Sequence, residues 1–275
     1  MIVDAFWELS GWDGRFASTV RALVRHPGML TREFLEGRRA RFLSPLRLYL
    51  MASLAYFVVA AAAPDPPTTT KKGPLGLTVT APTTAPAGSR PERVANAVTK
   101  SLDVNDPDPD LSGRQEMTPE QKARALKDIE HAPAIMRPFA RRAIEDPKGL
   151  KRGIAEMMPR MLFVLLPIFA ATVAIFYRGR KYPEHLYFAI HLHAFAFLAL
   201  TIIDLVKFTR VSMLVAFAGM VAVIWVPVYA TLAFRRAYGG ALGRTIAKEV
   251  GIGTIYALAS LVAFLLTIYW VALFA

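Results

Sequence analysis

The sequence contains no cysteine at all, so disulfides and thiolate metal sites are both excluded and the redox compartment leaves no trace. Acidic residues are also scarce, 21 Asp and Glu against 33 Lys and Arg. There is no G-x-x-x-x-G-K-[ST] phosphate loop, no G-x-S-x-G nucleophile turn and no H-E-x-x-H zinc helix. The common nucleotide-hydrolase, serine-hydrolase and helical metalloprotease signatures are therefore missing. Polar residues thin out most from Met161 onward, where apolar stretches such as MLFVLLPIFAATVAIFY and LYFAIHLHAFAFLALTIIDLV alternate with short basic clusters. A water-soluble domain has no core that could hide this much continuous apolar surface, whereas a bilayer takes stretches of roughly 20 residues directly.

The basic excess sits where a membrane protein needs it. Between Arg15 and Arg47 there are eight arginines and two acids, Glu33 and Glu36, just ahead of the first apolar run. Juxtamembrane cations mark the cytoplasmic side and attract anionic headgroups, by about 1 kcal/mol each. Nucleic acid is a poorer explanation of the charge. The first twelve residues carry acids and lack both a basic start and a small-residue cleavage site, so no cleaved signal peptide is expected.

The expected fold is all-α: a polytopic membrane bundle of about five transmembrane helices, with N-terminal amphipathic helices and a short helical extramembrane segment. Residues 1–42 form a basic entry segment. Phe16, Val20, Leu23 and Val24 fall at helical spacing, and Pro27-Gly28 should end that helix before a second one carrying Met29, Phe34 and Leu35. Two placements fit such a pair, flat in the membrane interface or packed as an ordinary cytosolic pair on the bundle. The first span covers 43–63, with Pro45 in its first turn, and Pro64-Asp65-Pro66-Pro67 stops it. Residues 64–117 are rich in Pro, Thr and Asp and poor in large apolar side chains, which predicts a disordered outer loop. The string Asp103, Asp106, Asp108, Asp110 lacks the glycine and glutamate of a calcium loop and reads as solvated linker. Helices are expected again over 119–131, 134–145 and 148–158, the first opened by Thr118-Pro119-Glu120-Gln121. Spans at 161–177, 186–206, 211–234 and 250–274 complete the 159–275 region, with Pro167 and Pro227 inside two of them as sources of a kink or a freed carbonyl.

Candidate chemistry concentrates on the third span. Glu184 and His185 lie at its mouth, with His191 and His193 one to two turns deeper. Glu184 and His191, seven residues apart, share a face, which predicts that both look into the bundle and that His191 bonds to span two, four or five. His193 should turn to a different neighbour. The histidines lack the i, i+4 spacing of a helical zinc site, so no metal is assigned. A metal set would need Glu249, Glu33 or Glu36 from elsewhere. No cofactor is indicated. Asp204 and Lys207, three apart, predict an interfacial ion pair. Arg38, Arg39, Arg41 and Arg47 are the candidate headgroup-binding residues.

Two stretches together carry a resemblance: residues 19–50, with Pro27-Gly28, Gly37-Arg38-Arg39-x-Arg41 and Pro45, and residues 158–198, with Tyr182-x-Glu184-His185 and His191-x-His193-x-Phe195. In that order they resemble a bacterial inner-membrane family known only as domain of unknown function 3667. Many relatives carry an N-terminal cysteine-rich zinc ribbon, which this cysteine-free chain does not have. The resemblance implies a membrane location and brings no activity.

Two functions remain in view. The first is a nonenzymatic module that binds or moves a small solute or lipid, or serves a membrane partner or a second copy of the chain. The second is a membrane-embedded enzyme using Glu184, His185, His191 or His193 as metal or acid–base groups. For orientation, a cytoplasmic N-terminus places Arg178, Arg180, Lys181, Arg235, Arg236, Arg244 and Lys248 inside and only Lys207 and Arg210 in a short outer loop. With five spans, a reporter fused after Ala275 should be active only on the outer side; activity in the cytoplasm would mean an even number of crossings.

Overall fold

Pro45 opens a helix because its missing N–H is one that the first turn leaves unbonded anyway, and the Leu48 amide donates back to the Ser44 carbonyl at 3.0 Å. In the computed structural model this is α3 (Pro45–Ala62) of nine helices among the described residues. The structure describes residues 15–38, 40–64, 71–72, 78–79, 119–130, 133–134 and 136–274. The others are α1 (Arg15–Arg25), α2 (Met29–Leu35), α4 (Pro119–Ile129), α5 (Arg137–Glu145), α6 (Pro147–Phe176), α7 (Tyr182–Lys207), α8 (Ser212–Tyr238) and α9 (Leu242–Phe274). A two-residue antiparallel pair, β1 (Lys71–Lys72) with β2 (Thr78–Val79), is all that is described of the Pro/Thr/Asp-rich loop. The expectation of disorder there, like the proposed cap at Thr118, otherwise lies outside the described residues.

Five helices, α3, α6, α7, α8 and α9, are long and apolar enough to cross a bilayer. The chain is an all-α, multi-pass membrane protein. Their outward faces are oily, as lipid contact requires: Met213 is 81% exposed and Val223 74%. The helices outrun the apolar stretches that announced them. α6 is unbroken from Pro147 to Phe176, where the sequence reading separated 148–158 from 161–177. Pro159 costs it the hydrogen bond to Ala155 and crowds that carbonyl, whose exposed position leaves it open to hydration, while the proline φ suits a helix. Pro167 and Pro227 likewise lie inside continuous helices. α7 begins at Tyr182, α8 continues to Tyr238 and α9 begins at Leu242; Arg235, Arg236 and Arg244 can extend a helix while their charged ends reach water.

The chain forms two compact units. In the one containing residues 64–158 and 265–275, the Lys122 ammonium donates to the Glu145 carbonyl at 3.3 Å, and Asp146 caps α6 by accepting from the Gly149 amide at 2.8 Å. In the other, containing residues 1–63 and 159–264, the core gathers Leu30, Phe34, Leu48, Tyr49, Phe188, Phe195, Tyr229 and Phe234. Phe195 of α7 stacks on Tyr229 of α8 with centroids 3.4 Å apart.

The pair α1 and α2, a foot for the bundle, packs against α7 and α8. Thr19, Ala22 and Leu23 of α1 and Leu30, Thr31 and Phe34 of α2 are buried, while Arg21, Val24, Arg25 and Arg32 stay exposed. Of the two placements open to the foot, its inner face takes the packed one. Gly28, in the left-handed conformation at φ +73°, makes the joint possible. A Cβ there would lie 2.6 Å from the Ala233 carbonyl oxygen of α8. Gly37, at φ +82°, has open space around it. Gly28→Ala should therefore destabilise the docked foot by about 2 kcal/mol or more, and Gly37→Ala by only about 1 kcal/mol, the conformational cost alone. Limited proteolysis between Arg25 and Arg41 in lipid nanodiscs checks this; equal protection of the two variants would refute it.

Candidate functional site

Each polar group on α7 meets a partner from a different part of the chain. His191 is buried, 4% exposed, and its Nδ1 lies 3.0 Å from the Thr31 hydroxyl of α2, across 160 residues of sequence. The sequence reading sought this partner on a span; the foot supplies it. Phe34 of α2 sets its ring edge against the same imidazole, centroids 5.5 Å apart. Two residues along, His193 turns away, as its angular offset requires. Its Nδ1 lies 2.8 Å from the Ala189 carbonyl, which can only accept, so Nδ1 carries the proton. Nε2 of the neutral ring is then free to accept from the Tyr256 hydroxyl of α9 at 2.8 Å.

At the α7 N-terminus His185 is fully buried, its Nδ1 2.9 Å from the Tyr238 hydroxyl of α8 and its ring stacked on that tyrosine at an interplanar angle of 17°. Glu184 does not share the interior with His191. It binds Arg180 at 3.1 Å, and the second guanidinium nitrogen of Arg180 donates to the Ala237 carbonyl at 2.8 Å. The distant carboxylates named as possible ligands are engaged too: Thr231 donates to Glu249, and Glu33 and Glu36 bind Arg38. Among the described residues no three His, Asp or Glu side chains come close enough to hold a metal ion.

Two imidazole nitrogens, Nε2 of His185 and Nε2 of His191, are buried without a partner among the described residues. His191 also lines a cavity of about 10 Å³, together with Leu23, His26, Gly28, Thr31 and Tyr229. Tyr229 donates to the Leu23 carbonyl at 2.7 Å, a second polar tie between foot and spans. Sequence reasoning missed Thr31, Tyr229, Tyr238, Tyr256 and His26. Their only signal was that a polar tip inside an apolar segment needs a partner.

The arginine run behaves differently from its charge. Arg38 donates to Glu33 at 2.7 Å through two nitrogens and also reaches Glu36, so it is spent on its own turn. Those bonds hold the Glu33 carboxyl below its ordinary value near 4.5; Arg32, then Arg38, do the same for Glu36, and Arg38 is pushed upward in return. Arg41 lies over the Phe42 ring at 6.0 Å, Arg47 has contacts within the protein, and Arg39 is outside the described residues.

The basic residues of the other loops meet at one end of the bundle. Lys248 at the start of α9 donates to the Phe176 carbonyl at 2.8 Å and lies 4.1 Å from the Tyr177 ring centroid, closing the end of α6 as Arg180 closes the end of α8. Around these two caps stand Lys181, Arg235, Arg236 and Arg244, exposed and without an ion pair among the described residues. At the far end of α7, Lys207 binds Asp204 at 2.7 Å, the pair that the spacing predicts.

Fold and site together define a multi-pass membrane helix bundle with a helical foot docked on it. Residues 13–57 match the family described as "Protein of unknown function (DUF3667)", which bears out the resemblance seen in the sequence over the foot and most of α3. The histidines of α7 lie beyond the matched stretch. No curated protein and no solved structure matches the chain.

Proposed function

We propose that the protein is a nonenzymatic module of a bacterial inner membrane, inserted with its foot and basic end on the cytoplasmic side and its C-terminus outside, and that it binds anionic phospholipid there. The observation that carries this reading is the set of exposed cations Lys181, Arg235, Arg236 and Arg244, without an ion pair among the described residues, at the ends of the apolar helices α7, α8 and α9. Glu184 is occupied by Arg180, Glu33 and Glu36 by Arg38, and Glu249 accepts from Thr231. Among the described residues the cations thus pair with no acid, and they meet the headgroups of whichever leaflet is negative. Of the arginines named for this role, Arg38 is less suited, because Glu33 and Glu36 neutralise it.

The scattering of the α7 side chains supports the nonenzymatic reading over the enzymatic one. Acid–base or metal chemistry needs groups converging on one point, whereas His185, His191 and His193 address Tyr238, Thr31 and Tyr256 separately.

The test is lipid enrichment around the full chain, purified from mixed phosphatidylglycerol and phosphatidylcholine and read by native mass spectrometry. The wild type should retain phosphatidylglycerol preferentially. Arg235→Gln, Arg236→Gln and Arg244→Gln combined should lower that preference about tenfold, at roughly 1 kcal/mol for each charge partly screened by salt. Equal retention of both lipids by the wild type would overturn the reading.

A further inference from the structure

The cavity at the joint of foot and spans is built from both sides. Leu23, His26, Gly28 and Thr31 come from the foot, His191 and Tyr229 from α7 and α8. His191 leaves one nitrogen to be explained. With Nδ1 committed to Thr31 at 3.0 Å, Nε2 is a bare donor in one tautomer and a bare acceptor in the other, and it is buried without a partner among the described residues. A polar atom in that position is costly in an apolar setting unless something small completes its bonding.

We infer that this cavity is a binding site for one uncharged, hydrogen-bonding molecule of water's size, held by His191 Nε2 and shared between the foot and the spans. The space is right: about 10 Å³ sits at the limit for a single water, about 10–15 Å³. The partners are right as well, since a buried water needs two to four of them. Besides Nε2 there are the remaining lone pairs of the Thr31 and Tyr229 hydroxyls and the His26 ring, which makes no hydrogen bond among the described residues. The walls offer a cation no counter-charge, being otherwise Leu23, Gly28, Leu30, Phe188, Leu192 and Ala233 with no acidic side chain. Because the site exists only while the foot is docked, its occupant favours the docked state by mass action. Gly28 has a second role here, forming part of the wall where any side chain would strike Ala233.

The experiment uses the full chain labelled with ¹⁵N-histidine in phosphatidylcholine nanodiscs, with His191 assigned through His191→Phe, or His191→Gln should the first variant fail to accumulate. Magnetisation transferred from water protons to the His191 ring should reach Nε2 at least fivefold more strongly than Nδ1. Equal or absent transfer at Nε2, with the Thr31 bond to Nδ1 intact, would show a dry cavity and overturn the inference. A stoichiometric shift of the Nε2 resonance on adding Zn²⁺, with loss of the water signal, would also overturn it, in favour of a metal shared with His26.

Discussion

The hydrogen bond between Thr31 and His191 ties the N-terminal foot to the third of the five long apolar helices. An imidazole in the third span cannot be left facing hydrocarbon, because a polar group there has no water to turn to. The foot answers that need from 160 residues away, and in doing so it must come close. The close approach in turn requires Gly28, whose missing side chain lets its backbone lie against Ala233. Tyr229 closes the same joint by donating to a carbonyl of α1, and its ring is stacked on Phe195 of α7. One polar demand inside the bundle thus fixes the turn at Pro27-Gly28, the seating of α2 and the geometry of the α7–α8 contact.

The five crossings were legible in the sequence because their signal is additive over some twenty residues and nothing soluble imitates it. Helix ends were not. Apolar runs report where lipid tails lie, and a helix such as α9 goes on past them where Arg244 can reach water and Lys248 can cap the end of α6. Pro159 shows the same limit from the other side, a residue that reads as a boundary and is carried within α6 at the expense of one hydrogen bond.

The candidate site was legible as a set of residues and illegible as a set of contacts. Helical angles separated His191 from His193 and foretold different neighbours, which the structure provides in Thr31 and Tyr256. The same angles put Glu184 beside His191, and here they misled. Glu184 lies in the first turn, where Arg180, four residues earlier and outside the helix, is the nearer partner. Arg38 is a related case: its position in a basic run suggested a headgroup ligand, but only the fold places Glu33 and Glu36 within its reach.

The account stands on the coupling of foot and spans through Thr31 and His191. A double-mutant cycle of Thr31→Val and His191→Phe, followed by reversible unfolding in mixed micelles, measures that coupling with the hydrophobic changes cancelled. A buried hydrogen bond of this kind predicts a coupling energy of about 1 kcal/mol, with each single variant losing nearly as much as the pair. Losses that simply add, within about 0.3 kcal/mol, would contradict it.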